Sequence, residues 1–170
     1  MKHTLSVLVD DKPAVLARVT SLCSRRGFNI HSLAVGPIQE TGRARITLVV
    51  DGDQMEAVSK QLNKLINVIK VTEFAPDEAV EREIMLIRVS ADASRRREVL
   101  DTAGAFDAKP VDVAVNSVTF EVTGRPGKLA SFLDVMRPFG VTDLAKSGRI
   151  ALARDGSVES EDLETTRRIS

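Results

Sequence analysis

Three consecutive segments near the amino terminus, Leu5-Ser6-Val7-Leu8-Val9, Asp10-Asp11-Lys12-Pro13 and Ala14-Val15-Leu16-Ala17-Arg18-Val19, decide the fold. Leu5, Val7 and Val9 alternate with their neighbours, the period of a strand with one buried face. The Asp-Asp-Lys-Pro stretch breaks that pattern. Asp11 is expected to cap a helix and Pro13 to occupy its first turn. From Ala14 to Arg26 the spacing changes to helical, with Val15, Leu16, Val19, Leu22 and Cys23 on one face. Arg25 and Arg26 suit the last turn, and Gly27 ends the helix.

Outward from this start, Asn29 to Ile38 reads as a second strand, Thr41-Gly42 as a turn and Ile46 to Val50 as a third strand. Asp51-Gly52-Asp53 opens a second helix, whose predicted buried face is Met55, Val58, Leu62, Leu65 and Ile66. Val68 to Phe74 is a fourth strand. The order βαββαβ predicts an α+β, ferredoxin-like module with an antiparallel sheet and both helices on one face.

After a polar connector at 76–80 the order repeats. Strands are expected at Ile84–Val89, Val111–Val115, Val118–Val122, Val141–Ala145 and Ile150–Ala153. Helices are expected at Ser94–Ala105, with Val99, Leu100 and Ala103 inward, and at Pro126–Met136, burying Leu129, Phe132, Leu133 and Met136. The chain thus divides into two ferredoxin-like modules, residues 1–76 and 77–155, and a polar tail at 156–170. A local similarity recurs at an offset of 113: Lys12-Pro13-Ala14-Val15-Leu16-Ala17 aligns with Arg125-Pro126-Gly127-Lys128-Leu129-Ala130, and Gly27 with Gly140. The first stretch opens helix one of its module and the second opens helix two, so the likeness is a recurring corner rather than a tandem duplication.

The composition argues against a self-contained enzyme. Among 170 residues there are two histidines, one cysteine, and no tryptophan or tyrosine. No His/Cys/Asp/Glu grouping has metal-ligand spacing, and Gly127-Lys128 lacks the Ser or Thr of a phosphate loop. Basic and acidic residues balance at 24 each, which gives no electrostatic case for nucleic acid. No apolar run is long enough for a bilayer-spanning helix, and the lone Cys23 predicts a reducing, cytoplasmic setting. Cys23 itself reads as a small buried hydrophobe, His31 as a partly exposed strand residue, and Arg95-Arg96-Arg97 as a solvated helix start.

The first corner has chemistry of its own. A chain turning into a helix exposes backbone N–H groups that suit a carboxylate. Asp11 and Asn29 offer oxygen atoms to an ammonium group, and apolar neighbours receive a small side chain. A free amino acid has those three parts, although an ordinary cap and turn would look the same.

These segments, with Arg25-Arg26-Gly27-Phe28-Asn29-Ile30 and His31-Ser32-Leu33-Ala34-Val35-Gly36, resemble the amino-terminal ACT domain of the regulatory (small) subunit of acetolactate synthase. Gln61-Leu62-Asn63-Lys64-Leu65 continues the likeness. Glu81-Arg82-Glu83-Ile84-Met85-Leu86-Ile87, Thr123-Gly124, and Ala145-Lys146-Ser147-Gly148 with Ala151-Leu152-Ala153-Arg154 resemble that family's carboxy-terminal domain. The resemblance implies a non-catalytic chain that binds the catalytic large subunit, raises its activity, and confers feedback inhibition by a branched-chain amino acid, usually valine. Thiamine diphosphate, Mg²⁺ and FAD are then expected in the large subunit and none in this chain. The resemblance also implies a homodimer through the ACT domain, with effector bound where two copies meet. Asp11, Ala14, Val15, Asn29 and Ile30 map onto the effector-contacting positions, and the carboxy-terminal domain becomes the platform for the large subunit. The family usually has Gly where Ala14 stands, so a Cβ there is expected either to crowd the ligand or to force the turn out of a Gly-only conformation. The alternative reading is a free-standing amino-acid sensor or ligand-binding transcriptional regulator using an ACT domain.

Overall fold

The computed structural model describes residues 2–38, 41–51, 55–75 and 77–155. Residues 52–54 of the second helix's expected start, the Met55 side chain, Pro76 of the connector and the 156–170 tail lie outside the described residues. The chain forms two compact units, one of residues 2–80 with 149–155, the other of residues 81–148. The return of 149–155 to the first unit differs from the simple division at residue 76 read from the sequence.

In the first unit β1 (Lys2–Asp10) leads to α1 (Val15–Arg25), β2 (Asn29–Ile38), β3 (Arg43–Asp51), α2 (Met55–Leu62) and β4 (Val68–Phe74). The sheet order is β2-β3-β1-β4, antiparallel throughout. Leu5, Val7 and Val9 of β1 and Ala44, Ile46, Leu48 and Val50 of β3 share one face. They pack with Val15, Val19 and Leu22 of α1 and Val58 and Leu62 of α2. Both helices therefore cover the same side, as the period-2 strands and period-3.6 helices require. The opposite side carries the buried hydroxyls of Thr4, Ser6 and Thr47. Arg45 Nη1 donates to Ser6 Oγ at 3.3 Å there.

Helix α2 ends at Leu62, so Ile66 falls in the following turn and is 93% exposed, while Leu65 packs on the core. The helical period of the sequence continued one turn past the point where Asn63-Lys64 leave the helix. Leu16 is likewise displaced from the predicted inner face and is half-exposed.

The second unit begins within β5 (Ala79–Ser90), whose start precedes the predicted strand by several residues. α3 (Arg96–Gly104), β6 (Lys109–Val113), β7 (Ser117–Gly124), α4 (Pro126–Met136), a short 3-10 turn and β8 (Val141–Lys146) follow, and β9 (Ile150–Ala153) closes the chain's regular structure. The order in this unit's sheet is β6-β7-β5-β8. Met85, Ile87 and Val89 of β5 and Val118, Phe120 and Val122 of β7 meet Val99 and Ala103 of α3 and Leu129, Phe132 and Met136 of α4. Phe132 is central, with Phe106 at 5.3 Å and Phe120 edge-on at 6.3 Å between ring centroids.

The three arginines expected to form a solvated turn divide their roles. Arg96 is half-buried, and its Nη2 donates to the carbonyls of Ala91, Ala114 and Val115, so it fastens α3 to the β6–β7 turn. Arg95 lies over the Phe139 ring at 5.0 Å. Arg97 alone is nearly fully exposed, reaching Asp101 at 3.8 Å.

Candidate functional site

The opening of α1 is built from a strand end held at two points. Asp10 N–H donates to the Asn67 carbonyl at 2.9 Å, and Asp11 N–H donates to the Gly42 carbonyl at 2.9 Å. The chain then turns through Pro13 and Ala14 before the helix begins at Val15. Neither Asp11 nor Pro13 plays the part expected of it. Ala14 stands at the cap position, no side chain closes a bond to the helix amides, and Pro13 lies outside the helix. The first helical bond runs from Arg18 N–H to the Ala14 carbonyl at 3.1 Å, so the amides of Leu16 and Ala17 lie ahead of the helical ladder.

Ala14 adopts φ 67° and ψ 2°, the left-handed region. Of the two outcomes expected for a Cβ here, the turn being forced into another conformation does not occur. The residue keeps the conformation that favours glycine and carries a strain of roughly 1–2 kcal/mol. Both Asp11 and Ala14 are exposed, and Val15 is buried against the sheet. Two cations frame the corner: Lys12 Nζ lies 3.4 Å from Asp10 Oδ2, and Arg18 Nη1 donates to Asn67 Oδ1 at 3.1 Å.

Asn29 and Ile30 open β2. Gly27, at φ 75°, turns the chain out of α1, and Phe28 N–H donates to the Cys23 carbonyl at 3.0 Å. Asn29 is exposed, and Ile30 is half-buried against the core. His31 follows, with Nε2 at 3.4 Å from Asp51 Oδ2. Cys23 is fully buried, and burial pushes its thiol above the ordinary value.

The sheet register separates these two groups of residues. Asn29 pairs with Asp51, which on its other side pairs with Lys2; Asp10 pairs with Arg43, which on its other side pairs with Ile38. Arg43 and Asp51 are eight residues apart along β3, which is about 27 Å of strand. Within one chain, then, Asp11, Ala14 and Val15 lie at one end of the sheet and Asn29 and Ile30 at the other. A single amino-acid ligand does not reach both, so the meeting of Asp11 and Asn29 anticipated from the sequence does not happen inside one copy.

The two edges of this sheet also differ. β4 carries Lys70 and Glu73 on its exposed edge, and His3 Nδ1 stands 2.6 Å from Glu73 Oε1. β2 has no Asp, Glu, Lys or Arg over all ten of its residues, and Val35 is 48% exposed. Charge on an edge strand discourages pairing with another chain, and its absence leaves β2 the edge open to it.

The βαββαβ unit with its open α1 corner places the chain among ACT-type regulatory modules, and residues 5–70 match the family described as AHAS (acetohydroxyacid synthase) small subunit-like ACT domain. Residues 82–155 match the family described as small subunit of acetolactate synthase. The acetolactate synthase small subunit of Mycolicibacterium smegmatis is 51% identical over 154 residues, which cover 89% of this chain and 91% of that one. A probable acetolactate synthase small subunit of Archaeoglobus fulgidus is 49% identical over 156 residues, covering 91% and 98% respectively. The crystal structure of the acetolactate synthase small subunit from Thermotoga maritima superposes with a TM-score of 0.83 at 35% identity, covering 91% of this chain and 98% of that chain. The chain belongs to the acetolactate synthase small-subunit family. Among the described residues no helix is long and apolar enough to cross a membrane, and no three His, Cys, Asp or Glu side chains are grouped to hold a metal ion.

Proposed function

We propose that this chain is a non-catalytic subunit that binds the thiamine-diphosphate-dependent large subunit of acetolactate synthase, raises its activity, and makes it sensitive to feedback by a branched-chain amino acid, valine foremost. The observation that carries the effector half of this reading is the division of the candidate residues between opposite ends of one sheet. An isologous, antiparallel pairing of two β2 edges sets the Asn29 end of each strand beside the Ile38 end of the other. The Ile38 end shares its level with Asp10 and the opening of α1. Such a pair therefore brings Asn29 and Ile30 of one copy to Asp11, Ala14 and Val15 of the next. The free amides of α1 then suit the ligand carboxylate, Asn29 and Asp11 its ammonium group, and Val15 and Ile30 its side chain. The uncharged β2 edge supports the same pairing.

Activation draws on the second unit. Its sheet turns Ile84 and Leu86, 38% and 44% exposed, away from the helices, beside the Arg88–Asp143 pair at 3.8 Å. An apolar strip rimmed by charge suits a protein partner. Thiamine diphosphate, Mg²⁺ and FAD belong to the large subunit in this reading.

The test is an acetolactate assay in four arms: this chain alone, the large subunit alone, the two together, and the mixture with valine, leucine or isoleucine. The expected result is no turnover by this chain alone, higher turnover by the mixture than by the large subunit, and inhibition by at least one of the three amino acids. Turnover by this chain free of large subunit, or a mixture no faster than the large subunit, overturns the reading. Light scattering supplies the assembly test: a monodisperse monomer at micromolar concentration removes the two-copy effector site.

A further inference from the structure

Resting on that regulatory reading, we propose that Arg149 is a positioning residue for the effector response: it ties the effector-bearing end of β2 to the place where the chain re-enters the first unit. Effector occupancy at Asn29 and Ile30 is then transmitted to the rest of the chain through this residue.

The pairing of β2 with β3 is regular from Ser32 to Ile38 but shifts register between Ile30 and Ser32, leaving His31 as the extra residue of a bulge. Asn29 and Ile30 thus sit on a short strand end that can adjust without slipping the register of the remaining ladder. Ser32 is the first residue on the regular side of this bulge, and Arg149 holds it. Arg149 N–H donates to Ser32 Oγ at 2.6 Å, and Arg149 Nη1 donates to Thr4 Oγ1 at 2.9 Å. Ser32 and Thr4 both pair with Val49, one from each side. A single residue therefore spans three strands, β2, β3 and β1, on the sheet face opposite the helices. Thr4 is buried, so the side-chain bond is shielded from water and fixes Arg149 firmly.

The residues just before Arg149 are fastened as tightly. Ser147 N–H donates to the Ile84 carbonyl at 3.0 Å, and Ser147 Oγ accepts from Ile84 N–H at 3.1 Å. Gly148, at φ 79°, lies between. In three residues the chain passes from two hydrogen bonds with Ile84 of β5, through one left-handed glycine, to one hydrogen bond each with Ser32 of β2 and Thr4 of β1. A change at the β2 bulge that alters the Ser32–Arg149 bond is communicated along this short covalent path, and linkage requires the effect to run equally in the other direction.

The experiment measures two quantities on each variant: valine affinity of the full chain by calorimetry, and valine inhibition of the complex with the large subunit. The variants are Arg149→Ala, Arg149→Lys and Thr4→Val, which keeps the buried shape of Thr4 and removes its acceptor. Arg149→Ala is expected to bind valine within about threefold of wild type and still to activate, yet to need at least about tenfold more valine for half-inhibition, within the range of ordinary coupling between sites. Thr4→Val shifts inhibition in the same direction, and Arg149→Lys restores part of it. Inhibition unchanged in both Arg149→Ala and Thr4→Val overturns the proposal, as does a parallel fall of binding and inhibition. If Arg149→Ala does not fold, Thr4→Val decides. A wild-type complex indifferent to valine, leucine and isoleucine overturns the regulatory reading itself, and this proposal with it.

Discussion

The openings of α1 and α4 share a sequence pattern and differ in structure. Lys12-Pro13-Ala14-Val15-Leu16-Ala17 and Arg125-Pro126-Gly127-Lys128-Leu129-Ala130 are related by one constant offset. Pro126 is the first residue of α4, whereas Pro13 stands two residues ahead of α1. The delay turns the helix about its axis. Val19 and Phe132 are both buried, as are Cys23 and Met136, but Leu16 is 39% exposed where its counterpart Leu129 is fully buried. The glycine and alanine also stand where their backbones least need them: Ala14 is left-handed, and Gly127 lies within a helix at an ordinary φ. An ungapped match of six residues fixes the kind of corner but not the residue at which the helix starts.

The largest expected effect separates the two leucines. Leu129→Ala empties a site at the centre of the second core and is expected to cost about 3 kcal/mol. Leu16→Ala removes a half-exposed side chain and is expected to cost no more than about 0.5 kcal/mol. Urea unfolding of the two variants measures both, and equal losses would mean that the helices bury equivalent faces after all.

The exchange of glycine and alanine tests the backbone half of the comparison. Ala14→Gly releases left-handed strain but frees the unfolded chain, for a net gain of about 0.5–1 kcal/mol. If the ligand carboxylate rests on this corner, removing the methyl group also lowers the valine concentration for half-inhibition several-fold. Calorimetry giving one affinity for both forms would show the corner already tolerates the Cβ. Gly127→Ala is expected to add about 0.5 kcal/mol through helix propensity, since a Cβ there meets nothing within 4 Å. Thermal melts read both signs.

The smallest effect comes from a third helix opening. Asp92 Oδ1 accepts from Ser94 Oγ at 2.6 Å, Ser94 N–H at 2.9 Å and Arg95 N–H at 3.1 Å, so a side chain holds the turn that leads into α3, while the amides of the helix itself have no side-chain cap. The Ser94 hydroxyl and the Arg95 and Ser94 amides hold the Asp92 carboxyl below its ordinary 3.8. A depressed folded value means the stabilisation is complete above the ordinary value and fades as pH falls through the folded one. Asp92→Ala should therefore lower the melting temperature slightly at pH 7, and the gap should close in acid below pH 3.8. A gap that widened in acid would mean that the Asp92 carboxylate does not stabilise this turn.

Much of this architecture was legible because alternation and helical spacing are local. β2, β4, α4 and β9 begin and end where the pattern says. The differences have identifiable causes. β5 starts at Ala79 rather than Ile84 because Glu81, Arg82 and Glu83 disguise a strand that is exposed on one face. β6 ends at Val113 because Val115 and Asn116 form the turn closed by Ala114 N–H to the Ser117 carbonyl at 2.9 Å, which leaves Val115 80% exposed. Arg96 reads as a surface charge because two of its three carbonyl partners, Ala114 and Val115, lie 18 and 19 residues further along the chain. The candidate site was legible as a set of residue types, yet its division between two ends of the sheet is a matter of register, which no spacing in the sequence records. The positive φ of Ala14 was foreseen only as an alternative, since an alanine does not announce a left-handed turn.

The distance between Asp11 and Asn29 has a genetic consequence. In the two-fold pair proposed above, each ligand position takes its corner from one chain and its strand end from the other. A chain damaged at Asp11 and a chain damaged at Asn29 would each fail as a homodimer. Mixed together they would form a heterodimer in which both defects fall on one position and the other is wholly intact. Two alleles that are separately insensitive to the effector would then complement each other, restoring half the positions in every mixed pair.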